Sequence, residues 1–337
     1  TLRVVVTASN VVPGPVNATS EASAVVQPAP PVVATAPSVS GTAIDGHTMT
    51  ADDGTWGGSS PITFTRQWQR CDALGAGCAD ISGATGTTYD LTPDDVGGTV
   101  RVVVTADNAA PGTASAPSAP SPIVLPTPPV NATAPSIAGF AQDQATLTGA
   151  DGTWTGTPVI AFSRQWLRCD AAGANCAPIA GATGTTHGLT ADDVGSTLRL
   201  RVTATNAAPG SVVATSAPTG VIVPIGPLNL TPPVVTGGTQ EGDVLTTTDG
   251  TWSGTPTISF TYQWRRCDPS GSTCATIPGA TGPTYTLTAA DLGHTVRSVV
   301  TATNAAPTPA SAASAPTPQV TAAPPVNTTA PSITGTA

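Results

Sequence analysis

Ile62, Phe64, Arg66, Trp68 and Arg70 alternate with Thr63, Thr65, Gln67 and Gln69, a period of two that predicts a strand with one buried face. Val100, Val102, Val104 and Ala106 alternate with Arg101, Val103 and Thr105 in the same way, as do Leu198, Leu200, Val202 and Ala204 with Arg199, Arg201 and Thr203. Both read as antiparallel strands against a core. Shorter strands are predicted at Thr48–Ala51, Cys78–Ile81, Tyr89–Thr92 and Ala114–Ala116. Gly57 to Pro61 and Asn108 to Gly112 carry the Gly, Ser, Asn and Pro chemistry of turns. No stretch sustains a 3.6-residue period, and Leu91–Gly97 supplies one helical turn at most. About six to eight strands separated by frequent turns argue for a β-sandwich.

The pattern repeats. Trp56, Trp154 and Trp252, each in Asp-Gly-Thr-Trp, are spaced by 98 residues, and so are Trp68, Trp166 and Trp264. The same offset links Arg3, Arg101, Arg199 and Arg297, and likewise Asn10, Asn108, Asn206 and Asn304. A 98-residue unit is the size of one small sandwich and far exceeds a solenoid repeat. The expected division is 1–28 as the last part of a repeat, then repeats at 29–125, 126–223 and 224–321, then 322–337 opening another. The chain is therefore expected to be a window on a longer array.

Composition narrows the function classes. The chain has 337 residues, 9% of them charged, with a net charge of −9 and no Lys. Nucleic-acid contact needs clustered positive charge, so that partner is not expected. No apolar run of about 18 residues is present, and no membrane span is expected in this stretch. Without a lysine amine, Schiff-base catalysis, Walker-type phosphate binding and lysine isopeptide cross-links are closed. His47, His187 and His294 hold unrelated repeat positions, and no Ser-His-Asp or paired-carboxylate arrangement recurs. The chain reads as no enzyme and needs no cofactor.

Tyr285 through Gly293, followed by Thr295-Val296-Arg297 and Val300 through Asn304, with Gln263-Trp264 upstream, resembles bacterial immunoglobulin-like (Ig-like) repeats. The tandem type found in large secreted or cell-surface proteins of high-GC bacteria is the one it resembles most. The resemblance implies an all-β array of tandem Ig-like antiparallel sandwiches, with Trp68, Trp166 and Trp264 as the core Trp of the central strand. Asp95-x-Gly97 matches the corner that precedes the penultimate strand. Thr99 stands where the corner tyrosine would be, and Arg101 where the inter-sheet cysteine would be, so each core must hold by packing alone.

The cysteines pair most simply as Cys71–Cys78, Cys169–Cys176 and Cys267–Cys274, because the same six-residue loop recurs three times. Such bonds imply an oxidising, extracellular or cell-surface location. A zinc site lacks ligands, with two Cys per repeat and no recurring His. Asp53, Asp72 and Asp95 recur in every repeat. Calcium is the sharper reading of these acids, but capping of turns explains each of them singly, and no metal site is assigned.

Core packing accounts for Trp68 and for Trp56, while Trp56, Trp154 and Trp252, beside the Gly-rich loop, are the candidates for surface contact. Asn17, Asn131, Asn229 and Asn327 each open an Asn-x-Thr triplet and are candidate glycosylation sites, three of them at equivalent positions in the Pro-rich linkers. The linkers at 28–37, 116–135, 218–233 and 316–331 favour extended, semi-rigid geometry. The leading expectation is a structural stalk, fibre or surface filament, with neighbouring copies as partners. The alternatives are an adhesin or carbohydrate-binding module that meets glycans or a host surface, and a spacer in a large secreted enzyme or phage tail protein.

Overall fold

The computed structural model describes residues 1–335. The chain opens with an antiparallel hairpin, β1 (Val5–Ala8) and β2 (Val16–Thr19). The first full period then contributes β3 (Val32–Thr35), β4 (Ser38–Gly41), β5 (Thr48–Asp52), β6 (Thr55–Gly57), β7 (Thr63–Cys71), β8 (Ala79–Asp80), β9 (Thr88–Asp90), β10 (Thr99–Asp107) and β11 (Ala114–Pro117). These pair as β3 with β6, as the three-stranded sheet β4-β5-β9, and as the four-stranded sheet β8-β7-β10-β11.

The Asp-Gly-Thr-Trp motif explains why β5 and β6 are separate. Gly54 has φ +73°, and a Cβ there would stand 2.3 Å from the Thr35 carbonyl oxygen. Only glycine fits. The Asp52 carboxylate accepts the Gly54 N–H at 2.8 Å and completes the kink. The predicted helical turn is a short 3-10 segment, Pro93–Asp95.

The two larger sheets meet through Trp68, which is fully buried and packs with Met49, Leu91, Val100, Val102, Val104 and Val124. Trp68 stands opposite Val102 in the β7–β10 ladder, and its indole N–H donates to the Gly86 carbonyl at 3.0 Å. A buried tryptophan needs that partner, since an unpaired N–H in the core costs about 1–3 kcal/mol.

The Pro-rich stretch after β11 is extended and pinned to its own sheet. Ser118 and Ser121 donate their N–H groups to the Val102 and Val100 carbonyls, both at 2.8 Å. Their hydroxyl oxygens accept the Val102 and Val100 N–H groups at 3.1 and 3.0 Å. Side-chain oxygens thus satisfy the strand where the prolines interrupt regular pairing. Val124 continues the path, fully buried, with its N–H on the Gly98 carbonyl at 2.8 Å.

The order recurs one period later. Val130–Thr133 pairs with Thr153–Thr155, Ser136–Ala138 lies in one sheet with Thr146–Ala150 and Thr186–Gly188, and Ala161–Cys169 lies in a four-stranded sheet with Thr197–Thr205. The third period repeats it, with Ser259–Cys267 beside Thr295–Thr303 and a core of Leu245, Trp264, Ile277, Leu287, Val296 and Val320. By contact density the chain forms two compact units. One comprises Thr1–Thr133, Thr153–Ser163 and Thr203–Val213, and the other Ala134–Gly152, Arg164–Val202 and the chain from Ala214 on.

One core position is filled three different ways. Ala51 and Val102 occupy it in the first period, Gly149 and Leu200 in the second, Thr247 and Ser298 in the third. Thr247 and Ser298 share a buried hydroxyl–hydroxyl hydrogen bond of 2.6 Å. A Cβ at Gly149 would lie 2.5 Å from Leu200 Cδ2. The smaller partner on one sheet therefore accompanies the larger on the other, as close packing demands.

Candidate functional site

What recurs with most hydrogen bonds is the place where one period meets the next. After Val124, the Leu125 N–H donates to the Ala43 carbonyl and the Asp45 N–H to the Leu125 carbonyl, each at 2.9 Å. The Thr127 hydroxyl then donates to the Asp45 carbonyl at 2.7 Å. Thr157, from the following period, donates its hydroxyl to Asp45 Oδ2 at 2.5 Å and accepts the Thr127 N–H at 2.7 Å. Asn206 closes the arrangement by donating Nδ2–H to the carbonyls of Thr127 and Thr157, both at 2.8 Å.

The next junction repeats it. The Thr255 hydroxyl donates to Asp143 Oδ2 at 2.6 Å and accepts the Ile225 N–H at 2.8 Å. Asn304 donates to the carbonyls of Ile225 and Thr255, both at 2.8 Å. Asp143 is 2% exposed and Thr255 1%. Such a hydrogen bond, charged and shielded from water, is stronger than its exposed counterpart. In the first period Ser59 and Asn108 hold Ala29 in the same manner. Sequence reasoning found the Asn period without a role for it and missed Asp45, Asp143, Thr157 and Thr255. Their signal was the 98-residue offset between Asp45 and Asp143 and between Ser59, Thr157 and Thr255.

A second cluster fixes the sheet corner. Asp95, fully buried, accepts Arg70 Nε–H at 2.7 Å, the Tyr89 hydroxyl at 2.9 Å and the Thr92 N–H at 2.7 Å. Asp291 repeats this with Arg266, Tyr285 and Thr288. Burial works against ionisation of Asp291, but the Thr288 amide, the Tyr285 hydroxyl and Arg266 outweigh it, and the carboxyl sits below its ordinary range. Asp193 is also held low, against burial, by the Thr190 amide and Arg168. There the tyrosine position is His187, whose Nε2 lies 3.6 Å from Asp193 Oδ2.

The three disulfides are Cys71–Cys78, Cys169–Cys176 and Cys267–Cys274. Inside each loop an Asp organises the backbone. Asp72 accepts the N–H groups of Leu74 and Ala76, and Asp268 accepts that of Ser272. The Ser270 hydroxyl, with the Ser272 amide, lowers Asp268 to about 2. Asp53 instead takes Arg66 in a two-pronged ion pair, as Asp151 takes Arg164, while Asp249 accepts the Tyr262 hydroxyl at 2.6 Å. Asp53, Asp72 and Asp95 thus serve separate partners. Among the described residues no group of three or more His, Cys, Asp or Glu stands close enough to hold a metal.

Trp56, Trp154 and Trp252 are half-buried, their rings 5.8–6.0 Å from those of Phe64, Phe162 and Phe260. The indole N–H groups of Trp56 and Trp252 donate to the Asp53 and Asp249 carbonyls at 2.8 Å. Asn131 and Asn229 lie in the first strands of their periods, each donating Nδ2–H to the carbonyl two residues on. Asn17 lies in β2 and accepts the Thr7 hydroxyl, and Asn327 is exposed. No helix is long and apolar enough to cross a membrane among the described residues.

No family model matches the chain, and no curated protein sequence does. Among solved structures it is similar to three N-terminal domains of the bacteriophage RB49 highly immunogenic outer capsid protein, at 14% identity and TM-score 0.22, over 83% of this chain and 98% of that one. It is similar to a set of domains from titin at 16% identity and TM-score 0.27, over 85% and 99%. A calcium-stabilised adhesin by which an Antarctic bacterium binds ice is similar at 16% identity and TM-score 0.31, over 95% and 81%.

Proposed function

We propose that this chain is a load-bearing part of an extracellular array, in which Ig-like domains corresponding to 29–125, 126–223 and 224–321 act as spacers and the junctions between them resist bending. The supporting observation is the repeated Asp–Thr–Asn junction, present with the same bonds at Asp45–Thr157–Asn206 and at Asp143–Thr255–Asn304. A connection built only to tether domains would not bury a carboxylate against the next domain's hydroxyl, because desolvating that charge is costly. The disulfide in each period supports an oxidising, extracytoplasmic location. Each also closes a short loop, contributing on the order of 2–3 kcal/mol to its hairpin.

Pulling single molecules from both ends in non-reducing buffer tests the reading. Three unfolding events of equal length are expected, each releasing about 3.6 Å per freed residue. One cooperative rupture of the whole chain, or extension without resistance, would overturn it.

A further inference from the structure

We infer that Arg265 and Arg297 form a binding site for an acidic polysaccharide on the outer face of the third four-stranded sheet. The two residues stand directly opposite one another in the ladder between Ser259–Cys267 and Thr295–Thr303. Side chains so placed have Cβ atoms about 5 Å apart, and like charges there repel. Both Nε atoms are shielded from solvent and have no hydrogen-bond partner.

The equivalent arginines of the first and second full periods are satisfied. Arg101 donates to Gln69 at 2.7 Å, and Gln69 in turn donates to Asp80. Arg199 donates to the carbonyls of Gly173 and Ser216. In the third period the Gln69 position is Arg265 and the Asp80 position is Thr276, so the acceptor and the acid are both gone. A second guanidinium replaces them. Five other arginines, Arg66, Arg70, Arg164, Arg168 and Arg266, are each paired with an Asp. In a chain of net charge −9, two adjacent guanidinium groups with no acid paired to them, lining an open groove, form a site for an anion.

The surroundings point to a sugar. The pair lines a shallow groove of about 440 Å³ with Gln263, Thr301, Ser311 and Val299. Gln263 donates its Nε2–H groups to the Trp264 and Ile277 carbonyls, which leaves its side-chain oxygen as an acceptor for a hydroxyl. Thr301 and Ser311 supply a hydroxyl pair at 2.8 Å. Two guanidinium groups flanked by hydroxyls, a carboxamide oxygen and a small apolar floor suit a ring that bears a carboxylate or sulfate. The site is independent of the load-bearing reading.

Affinity electrophoresis of the whole chain at low salt tests it, using gels containing polygalacturonate for the carboxylate, dextran sulfate for the sulfate, and neutral dextran. Retardation by one or both acidic polymers and none by dextran is expected, and which polymer acts identifies the anion. Arg265→Gln and Arg297→Gln should each weaken retardation about tenfold or more. Arg201→Gln, which removes an exposed arginine of the same charge, should leave it unchanged. Arg265→Gln installs the pairing that Gln69 and Arg101 already make, so its unfolding temperature should equal or exceed that of the parent. Absence of retardation, an equal loss in Arg201→Gln, or a lowered unfolding temperature in Arg265→Gln would overturn the site. So would self-association that depends on Arg265 without polymer binding.

Discussion

Thr255 donates its hydroxyl to the buried Oδ2 of Asp143 at 2.6 Å, although 112 residues separate them. The Thr255 hydroxyl oxygen also accepts the Ile225 N–H, so one side chain ties the connecting segment, the preceding period and its own period together. Thr255→Val keeps the shape and removes both bonds. A buried carboxylate and a backbone N–H lose their partner, at a cost of about 2 kcal/mol. Amide hydrogen exchange should show Ile225 exchanging faster, with the Trp264 core of the third period unchanged. Thr255→Ser should behave as the parent, since Ser59 fills the equivalent place in the first period. Unchanged protection of Ile225 in Thr255→Val would show that the hydroxyl does not hold the junction.

Gly149 and Leu200 should be coupled. Adding a methyl group in Gly149→Ala drives a Cβ into Leu200 Cδ2, and overpacking of this kind costs about 1–3 kcal/mol. Gly149→Ala with Leu200→Val recreates the Ala51 and Val102 combination and should recover most of the loss. A double-mutant cycle by denaturant unfolding measures the coupling. Additive effects in that cycle would mean the two residues do not share a volume.

Much of this was legible in the chain. The long strands β7 and β10 announce themselves because Trp68 and Val102 sit in a strict alternation, and three copies of the Cys spacing point to the local disulfides. The short strand β6 was not visible, and 32–43 reads as one first strand where the fold has two, β3 and β4. Their pairing rests on backbone bonds and on the positive φ of Gly54, which leaves no hydrophobic period. The junction was hidden for a different reason: Thr157 and Thr255 look like ordinary surface threonines until the chain brings Asp45 and Asp143 to them. Asp95 shows both sides. Its turn-capping role was readable from its place in the Leu91–Gly97 corner, while its capping box with Thr92 and its buried ion pair with Arg70, 25 residues away, were not.

His187 occupies the place of Tyr89 and Tyr285 but reaches Asp193 only at 3.6 Å, and its Nε2 has no hydrogen-bond partner. The tyrosines place a hydroxyl 2.8–2.9 Å from the equivalent carboxylate. His187→Tyr should therefore supply the missing bond and stabilise the second period by about 1 kcal/mol. Thermal unfolding should show a higher transition temperature at pH 7. A lower one would mean that the pocket around Trp166 is shaped for the imidazole ring, which lies 5.6 Å from the indole.

Stability should form a plateau between about pH 5 and pH 9 and fall on both sides. Asp193, Asp291 and Asp268 are held below the ordinary carboxylate value. Their ionised forms favour the folded state, so that contribution is whole above the unfolded value near 4 and drains away as pH falls through the folded values. Asp268 marks the lower end, at about 2. Tyr89 and Tyr285 are raised chiefly by burial, and Tyr262 by its bond to Asp249. Their neutral forms favour the fold below about pH 10, and that contribution is lost as pH climbs through the raised values. Unfolding temperature measured at half-unit steps from pH 2 to pH 11 checks both limbs. Asp291→Asn should make the acid limb shallower, because one titrating carboxylate is removed, and leave the alkaline limb largely in place, because burial is the chief cause that raises Tyr285 and neither Tyr89 nor Tyr262 depends on Asp291. A parent whose unfolding temperature stays level from pH 5 down to pH 2 would show that these carboxylates gain nothing from folding.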